Sequence, residues 1–206
     1  MLNLIKNVVF DLGKVLVKSY WYENMGKMGA SKSILNKLKI ITIESETWKE
    51  IDKGRISISE AIKKNLTEYP DLEEYIRCFY KFFPRYTVVN KSIEKFFIDL
   101  KKGGYKIYLL SNYGENYFEQ LSQKYEFLNF ADGRVISYEV KATKPDKIIY
   151  KELLDKYNLI SDESIFIDDK YDNIRTASKL GFHTIRYRNF NQLFKQFYDI
   201  VDSCNK

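Results

Sequence analysis

The sequence predicts an α/β protein, a parallel sheet flanked by helices, with a small helical block inserted behind the first strand. Two observations carry that reading. From about residue 88 onward, short apolar runs alternate with stretches whose apolar residues recur every three or four positions, the pattern of parallel strands joined by helical crossovers. Between the first apolar run and that region, over about 18–85, the helical spacing persists with no clear strand. The expected division is a sheet core from 1–17 with 88–206, and a helical cap over 18–87.

Taken in order, Val8-Val9-Phe10 is the first strand, ending at Asp11 and the small-residue turn Leu12-Gly13-Lys14-Val15. In the inserted block Ser57, with Glu60 three residues later, forms a capping box, and Pro70-Asp71 marks a break before the next helix. Asn90 caps a helix through Ile93, Phe96, Phe97 and Leu100 that Gly103-Gly104 ends. Ile107-Tyr108-Leu109-Leu110 is a strand that stops on Ser111-Asn112. A helix over 115–124 and a short strand around Val135-Ile136 follow. Pro145 opens a helix through Ile148, Ile149, Leu153 and Leu154. Ile165-Phe166-Ile167 is a strand that stops on the acidic pair Asp168-Asp169. Asp172 starts a helix through Ile174, Ala177 and Leu180 that Gly181 terminates, 183–187 is another strand, and a last amphipathic helix covers 190–201.

Composition narrows the class. In 206 residues, 45% are apolar and 16% aromatic, so a sizeable core forms without disulfides or a structural metal, and disorder is excluded. Cys78 and Cys204 are far apart and form no CxxC motif, which suits a reduced cytoplasmic compartment and suggests no chemical role for either. The N-terminal stretch lacks the long apolar run of a signal peptide, and no segment approaches the roughly 20 apolar residues of a membrane span. The net charge of +6 comes from lysines interleaved with acids rather than from a basic stripe, which argues against nucleic acid and for a small anionic partner. A second copy of the chain stays open as a partner.

The chemistry is concentrated where the strands stop. In a parallel α/β sheet the carboxyl ends of the strands line one crevice, where ligands bind. Singly, Asp11 reads as a turn residue, Ser111-Asn112 and Asp168-Asp169 as helix caps, and Lys144 as a surface lysine. Together, if the strands are neighbours, Asp11, Asp168 and Asp169 converge, and three mutually repelling carboxylates call for a divalent cation. All-oxygen ligands suit Mg2+, and Mg2+ points to phosphoryl chemistry. Asp11 is then the candidate nucleophile, accepting a phosphoryl group as an aspartyl phosphate. Ser111 and Asn112 are candidate donors to the transferring oxygens, and Lys144 balances their charge. His183, the sole histidine, reads as structural.

The set Asp11-Leu12-Gly13, Ser111-Asn112, Lys144-Pro145 and Asp168-Asp169, around a helical insertion, resembles the four motifs of the haloacid dehalogenase-like hydrolase superfamily. Further likeness lies in Lys53-Gly54-Arg55-Ile56-Ser57, in Lys144-Pro145-Asp146 with Ile149-Tyr150, and in Asp172-Asn173. These look similar to the subgroup of bacterial sugar-phosphate phosphatases, including glucose-1-phosphate phosphatases, and to the phosphatase domain of soluble epoxide hydrolase. The resemblance implies a Rossmann-like hydrolase core, a small helical cap, and Mg2+-dependent hydrolysis of a small phosphorylated metabolite.

One position departs from the pattern. In most phosphatases of the superfamily the residue two after the nucleophile is a second Asp that protonates the leaving group; here it is Gly13. Glycine keeps a carbonyl that can ligate the metal but has no proton to give. Lys14 stands where the family leads one to expect Asn or Gly; its ammonium either reaches the phosphate or lies on the surface of the flap, and the surface reading is preferred. The leading reading is thus a phosphatase with Asp11, Gly13, Asp168 and Asp169 around Mg2+. The alternatives are a 2-haloacid dehalogenase, which the acidic pair argues against, and a module that binds a phosphorylated ligand without turnover because of Gly13.

Overall fold

The computed structural model describes residues 4–204; residues 1–3, part of the stretch read above for a signal peptide, lie outside them, as do 205–206. The chain runs β1 (Asn7–Phe10), β2 (Val17–Ser19), α1 (Trp21–Lys27), α2 (Lys32–Ile41), α3 (Glu46–Asp52), α4 (Ile58–Glu68), α5 (Glu73–Phe82), β3 (Thr87–Val89), α6 (Lys91–Lys102), β4 (Lys106–Ser111), α7 (Glu115–Lys124), β5 (Gly133–Ile136), α8 (Ser137–Val140), α9 (Lys147–Tyr157), β6 (Ser164–Asp168), α10 (Tyr171–Lys179), β7 (His183–Arg186) and α11 (Phe190–Cys204). Five strands form one parallel sheet in the order β5-β4-β1-β6-β7, with β1 at its centre. This is the Rossmann-like α/β fold that the sequence predicts.

The alternation of side chains along a strand divides the core into two layers. Val8 and Phe10 of β1, with Ile107, Leu109, Ile165 and Ile167, pack against Ile93 and Phe97 of α6 and Leu193 and Phe197 of α11. Val9, Tyr108, Leu110 and Phe166 face the other way, onto Ile149, Tyr150 and Leu153 of α9 and Ala177 of α10. A strand covered on both faces has no polar side to show, which is why β1 reads as a continuous apolar run.

Helices α1 to α5 build a separate core of Trp21, Met25, Leu35, Leu38, Trp48, Ile76 and Phe79, among others. Tyr117 of α7 joins it, stacking on Trp48 with ring centroids 5.6 Å apart. The capping box at Ser57 and Glu60 is present, and Pro70 opens a short 3-10 turn ahead of α5.

Three details differ from the sequence expectation. The stretch read as free of strands begins with β2, which pairs antiparallel with β3 through Val17↔Val89 and Ser19↔Thr87. Strands of three residues are too short to show a period, so the ribbon left no signal in the sequence. The helix expected to open at Pro145 starts at Lys147, because the Asp146 side chain, two residues before Ile148, accepts that residue's backbone N–H at 3.0 Å and caps the helix instead. The last helix continues to Cys204.

Asp132 fastens the edge of the sheet. Its carboxylate accepts from Lys101 Nζ at 2.5 Å, from the Ile107 N–H at 2.9 Å and from Lys106 Nζ at 3.1 Å. Partial burial raises this carboxyl, but the hydrogen bonds from Lys101, Ile107 and Lys106 outweigh it and hold the group below its usual range. A carboxyl depressed in the folded state adds stability above its unfolded pKa, and that stability is lost as pH falls through the folded value. Asp132→Asn is therefore expected to lower the unfolding free energy at neutral pH by about 1–3 kcal/mol. In urea titrations the gap from wild type should close toward strongly acid pH; a gap that persists there would show that the charge is not responsible.

Candidate active site

The sheet register assembles the site. Phe10 lies level with Leu109 on one side and Ile167 on the other, so the first residue beyond β1, Asp11, emerges between the ends of β4 and β6. The Asp11 backbone N–H continues the ladder to the Ile167 carbonyl at 2.9 Å. Ser111, the last residue of β4, donates its hydroxyl to Asp11 Oδ1 at 2.7 Å. Asp168, the last residue of β6, is completely buried.

Lys144 joins these strand ends from below. Its ammonium donates to Asp11 Oδ1 at 2.8 Å, to Asp168 Oδ2 at 2.7 Å and to the Leu110 carbonyl at 2.6 Å. Three donors meet three acceptors, so the buried charge is fully satisfied. Asn112 fixes the lysine's backbone from both sides: its Oδ1 accepts the Lys144 N–H at 2.8 Å and its Nδ2 donates to the Lys144 carbonyl at 2.9 Å. The following Lys144–Pro145 peptide is cis. Burial lowers the lysine's pKa, but Asp11 and Asp168 more than reverse that, and the group is held above its ordinary value.

The two strand-end carboxylates are held differently. Asp168 Oδ1 accepts from the Lys170 N–H at 2.8 Å, and Asn173 Nδ2 donates to both Asp168 oxygens, at 3.0 and 2.9 Å. Asp11 Oδ1 takes both Ser111 and Lys144, while among the described residues nothing donates to Oδ2. One Asp11 oxygen is thus clamped and the other is left without a donor. Burial pushes Asp11 up to about 6, against the opposing pull of Lys144 and with a further push from Asp168. Asp169 lies at the edge of the cluster; burial and the neighbouring Asp168 raise its carboxyl too.

The turn after β1 places the remaining predicted residues. The Leu12 carbonyl accepts from the Val15 and Val17 N–H groups, folding Gly13 and Lys14 over the strand end. Lys14 takes a left-handed backbone, φ 62°. Its side chain is 74% exposed, with Nζ 3.7 Å from Asp169 Oδ2, at the rim of the acidic pair, and Lys14 also lines both cavities described below.

A cavity of about 160 Å³ is lined by Asp11, Gly13, Ser111, Asn112, Lys144 and Asp169. Next to it, sharing Gly13 and Asn112, a second cavity of about 270 Å³ is walled mainly by the helical block and α7, with Trp21, Trp48, Phe83 and Tyr117 in its lining. Two residues that sequence reasoning missed enter here. Asn173 anchors Asp168; it was noted only as a likeness beside Asp172, and a polar residue one turn into a helix carries no sign of facing inward. Asp52, the last residue of α3, lines the aromatic cavity and also the cleft beside Lys144 and Asp169. Its only sequence cue is its place just before the Lys53-Gly54 turn. The predicted bystanders stay outside: His183 Nε2 contacts the Asp162 carbonyl and Cys204, and Cys78 packs within the helical block.

The donor set fits a hard divalent cation. One carboxylate oxygen each from Asp11, Asp168 and Asp169 lies within 4.8 Å of the others. That is on the order of the ~4 Å spanned by an octahedron with metal–oxygen bonds of 2.0–2.1 Å. Three carboxylates against one buried ammonium leave the cluster negative; burial raises Asp11 and Asp169, and the neighbouring Asp168 adds to the rise.

A family model described as haloacid dehalogenase-like hydrolase matches residues 8–187. Among curated proteins the chain is similar to the D-ribitol-5-phosphate phosphatase of Bacteroides thetaiotaomicron, 26% identical across 90% of this chain and 93% of that protein. It is also similar to (S)-2-haloacid dehalogenase 4A of Burkholderia cepacia, 23% identical across 90% of this chain and 84% of that protein. It spans 37% of the length of a drimenol cyclase of Aspergillus calidoustus to which it is 23% identical. The fold matches the crystal structure of a haloacid dehalogenase family enzyme from Bacteroides thetaiotaomicron in complex with magnesium and inorganic phosphate. That match has a TM-score of 0.70 and 22% identity, over 92% of this chain and 99% of that one.

Lys144 is the charge on which this geometry turns. Lys144→Met strands the buried Asp11 and Asp168 carboxylates and is expected to cost about 3–5 kcal/mol of stability at neutral pH. Unpaired carboxylates have raised pKa values, so part of the loss should return as the pH is lowered and they take up protons. Urea denaturation at pH 7.5 and 5 checks both statements.

Proposed function

The chain belongs to the haloacid dehalogenase-like hydrolase family, and from that premise we propose that it is a Mg2+-dependent phosphatase acting on a small, sugar-phosphate-like phosphomonoester through an aspartyl phosphate on Asp11. The observation that carries the proposal is the asymmetry of Asp11: Oδ1 is held by Ser111 and Lys144 and Oδ2 faces no donor among the described residues. A carboxylate fixed in this way is aimed, and its orientation costs nothing further when substrate arrives.

In this reading Asp11, Asp168, Asp169 and the Gly13 carbonyl would hold Mg2+, which when bound would supply positive charge to offset the negative charge developing on the phosphoryl oxygens. The chain's own residues do the rest. Lys144 keeps Asp11 ionised and contributes positive charge to the transferring group, Ser111 spends its one hydroxyl proton on holding Asp11 Oδ1, and Asn112, which lines the same cavity, binds the phosphoryl oxygens. Asp11 Oδ2 attacks phosphorus, the ester oxygen leaves with the alcohol, and water then cleaves the acyl phosphate. Residues 18–87 act as a cap: their aromatic wall of Trp21, Trp48 and Phe83 receives the carbon skeleton and keeps bulk water from the acyl phosphate. The relative that hydrolyses D-ribitol 5-phosphate supports the substrate class.

The dehalogenase alternative, in which Asp11 attacks carbon, has no use for the acidic cluster. A non-catalytic binding module would not need one oxygen of Asp11 left without a donor. The expected result is phosphate release from a phosphomonoester panel with Mg2+, lost on adding EDTA and lost in Asp11→Asn. Chloride release from a 2-haloacid in EDTA, or binding of phosphate esters with no turnover of any of them, would contradict it.

A further inference from the structure

A phosphomonoester of an ordinary alcohol leaves only if its bridging oxygen gains a proton, and the residues assigned so far have none to give. Asp11 is the nucleophile, and Asp168 has both oxygens committed to Lys144, Asn173 and the Lys170 N–H. The three protons of Lys144 are engaged, and the group is held above its ordinary pKa. Gly13 has no side chain. Burial raises the hydroxyls of Tyr113 and Tyr117, which makes them poorer acids still.

Asp169 is a ligand of the cation in the phosphatase reading, and among the residues lining the aromatic cavity the one carboxyl is that of Asp52. We infer that Asp52, delivered by the inserted helical block, is the general acid and base of the reaction, supplying from α3 the proton that position 13 cannot; this rests on the phosphatase reading above. Position is the first argument. Asp52 lines the aromatic cavity together with Gly13, and the polar cleft together with Lys144 and Asp169. The ester oxygen joins a phosphoryl group over Asp11 to a carbon skeleton among the aromatic residues, so it lies at the junction Asp52 faces.

Rigidity is the second argument. The end of α3 is docked on the core at three points around Asp52. Ser137 Oγ donates to the Asp52 carbonyl while accepting the Tyr113 N–H. Lys141 Nζ donates to the Gly54 carbonyl at 2.9 Å. Ile51 packs so tightly on Gly114 that a Cβ there would stand 2.6 Å from its Cγ2, so only glycine allows α3 this close to the loop after β4. A side chain held by such contacts is placed rather than tethered.

The charges around it agree. Burial raises the Asp52 carboxyl to about 7, Lys170 pulls it down, Asp11 pushes it up, and the Gly114 N–H lowers it; Tyr113 and Tyr117 lie near it, and Lys14 and Lys49 line the cavities it faces. Near neutrality such a group is present in both protonation states, as an acid and base used in turn must be. In the first half-reaction Asp11 Oδ2 bonds to phosphorus, the bond from phosphorus to the ester oxygen breaks, and that oxygen takes the proton of Asp52, giving alcohol, acyl phosphate and ionised Asp52. In the second, Asp52 removes a proton from water, the water oxygen bonds to phosphorus and the bond to Asp11 breaks. Inorganic phosphate is released, with Asp11 ionised and Asp52 protonated as at the start.

The test compares phenyl phosphate with p-nitrophenyl phosphate, of like shape but unequal need for protonation, on wild type, Asp52→Asn and Asp52→Glu with Mg2+. Asp52→Asn is expected to lose roughly 10²- to 10⁴-fold in kcat/KM on phenyl phosphate. The loss on p-nitrophenyl phosphate should be at least tenfold smaller, the fall in wild-type kcat/KM above neutral pH should vanish, and Asp52→Glu should recover part of the rate. Equal losses on both esters, or an unchanged pH profile, would overturn the assignment. Wild type inactive on every phosphomonoester would overturn the phosphatase reading instead. Carboxyl NMR of metal-free wild type decides the matter even if a variant fails to fold: the Asp52 resonance should titrate near neutrality, and titration in the ordinary aspartate range would overturn the proposal.

Discussion

A single buried ammonium organises this molecule's working end. Lys144 is 1% exposed, and its three hydrogen bonds run to the ends of three adjacent strands, at Asp11, Leu110 and Asp168. Without it, desolvation would drive the carboxyls at the end of β1 and β6 toward the neutral form, and a protonated Asp11 is no nucleophile. With it, Asp11 is pinned through one oxygen and presents the other. The lysine depends in turn on Asn112, whose amide brackets its backbone, so the loop after β4 and the loop before α9 cannot move independently.

The rest of the fold can be understood as support for that arrangement. The central position of β1 brings Asp11 between two parallel neighbours, and its full burial on both faces fixes the height at which the strand ends. The acidic excess left after Lys144 is counted calls for a divalent cation, and the oxygen donors are spaced to take one. The helical block lines the cavity beside the site with aromatic side chains while touching the core through backbone and glycine contacts that set its distance. On this account catalytic labour is shared between the two parts of the chain: the sheet holds the phosphoryl acceptor and the block holds the proton. The site is complete only when α3 is seated against Gly114 and Ser137.

Much of this was legible in the sequence, for identifiable reasons. Strands buried on both faces leave unbroken apolar runs, so β1, β4 and β6 were visible, and with them the residues at their exits. Helices capped by Asn90 or Ser57 announce their starts chemically. The ribbon of β2 and β3 was not visible, because strands three residues long have no period and their partners are far apart in sequence, Val17 from Val89 by 72 positions and Ser19 from Thr87 by 68. Asp52 was hidden for a different reason. A carboxylate at the end of an amphipathic helix looks like any solvated residue, and only docking of α3 on Gly114 and Ser137 turns it inward. Nothing within the helix records what the far end of β4 will place opposite it. The clamp on Asp11 Oδ1 was likewise beyond reach, since a motif names the residues that meet but not which of two equivalent oxygens each one engages.

The central claim is that Asp11 itself accepts the phosphoryl group. Rapid acid quench of wild type turning over p-nitrophenyl phosphate with Mg2+, followed by peptide mass spectrometry, tests it most directly. The account predicts a phosphorylated peptide with the modification on Asp11, formed and lost at rates that match turnover. Sustained phosphate release with no modified Asp11 at any quench time, or modification at a different residue, would contradict it.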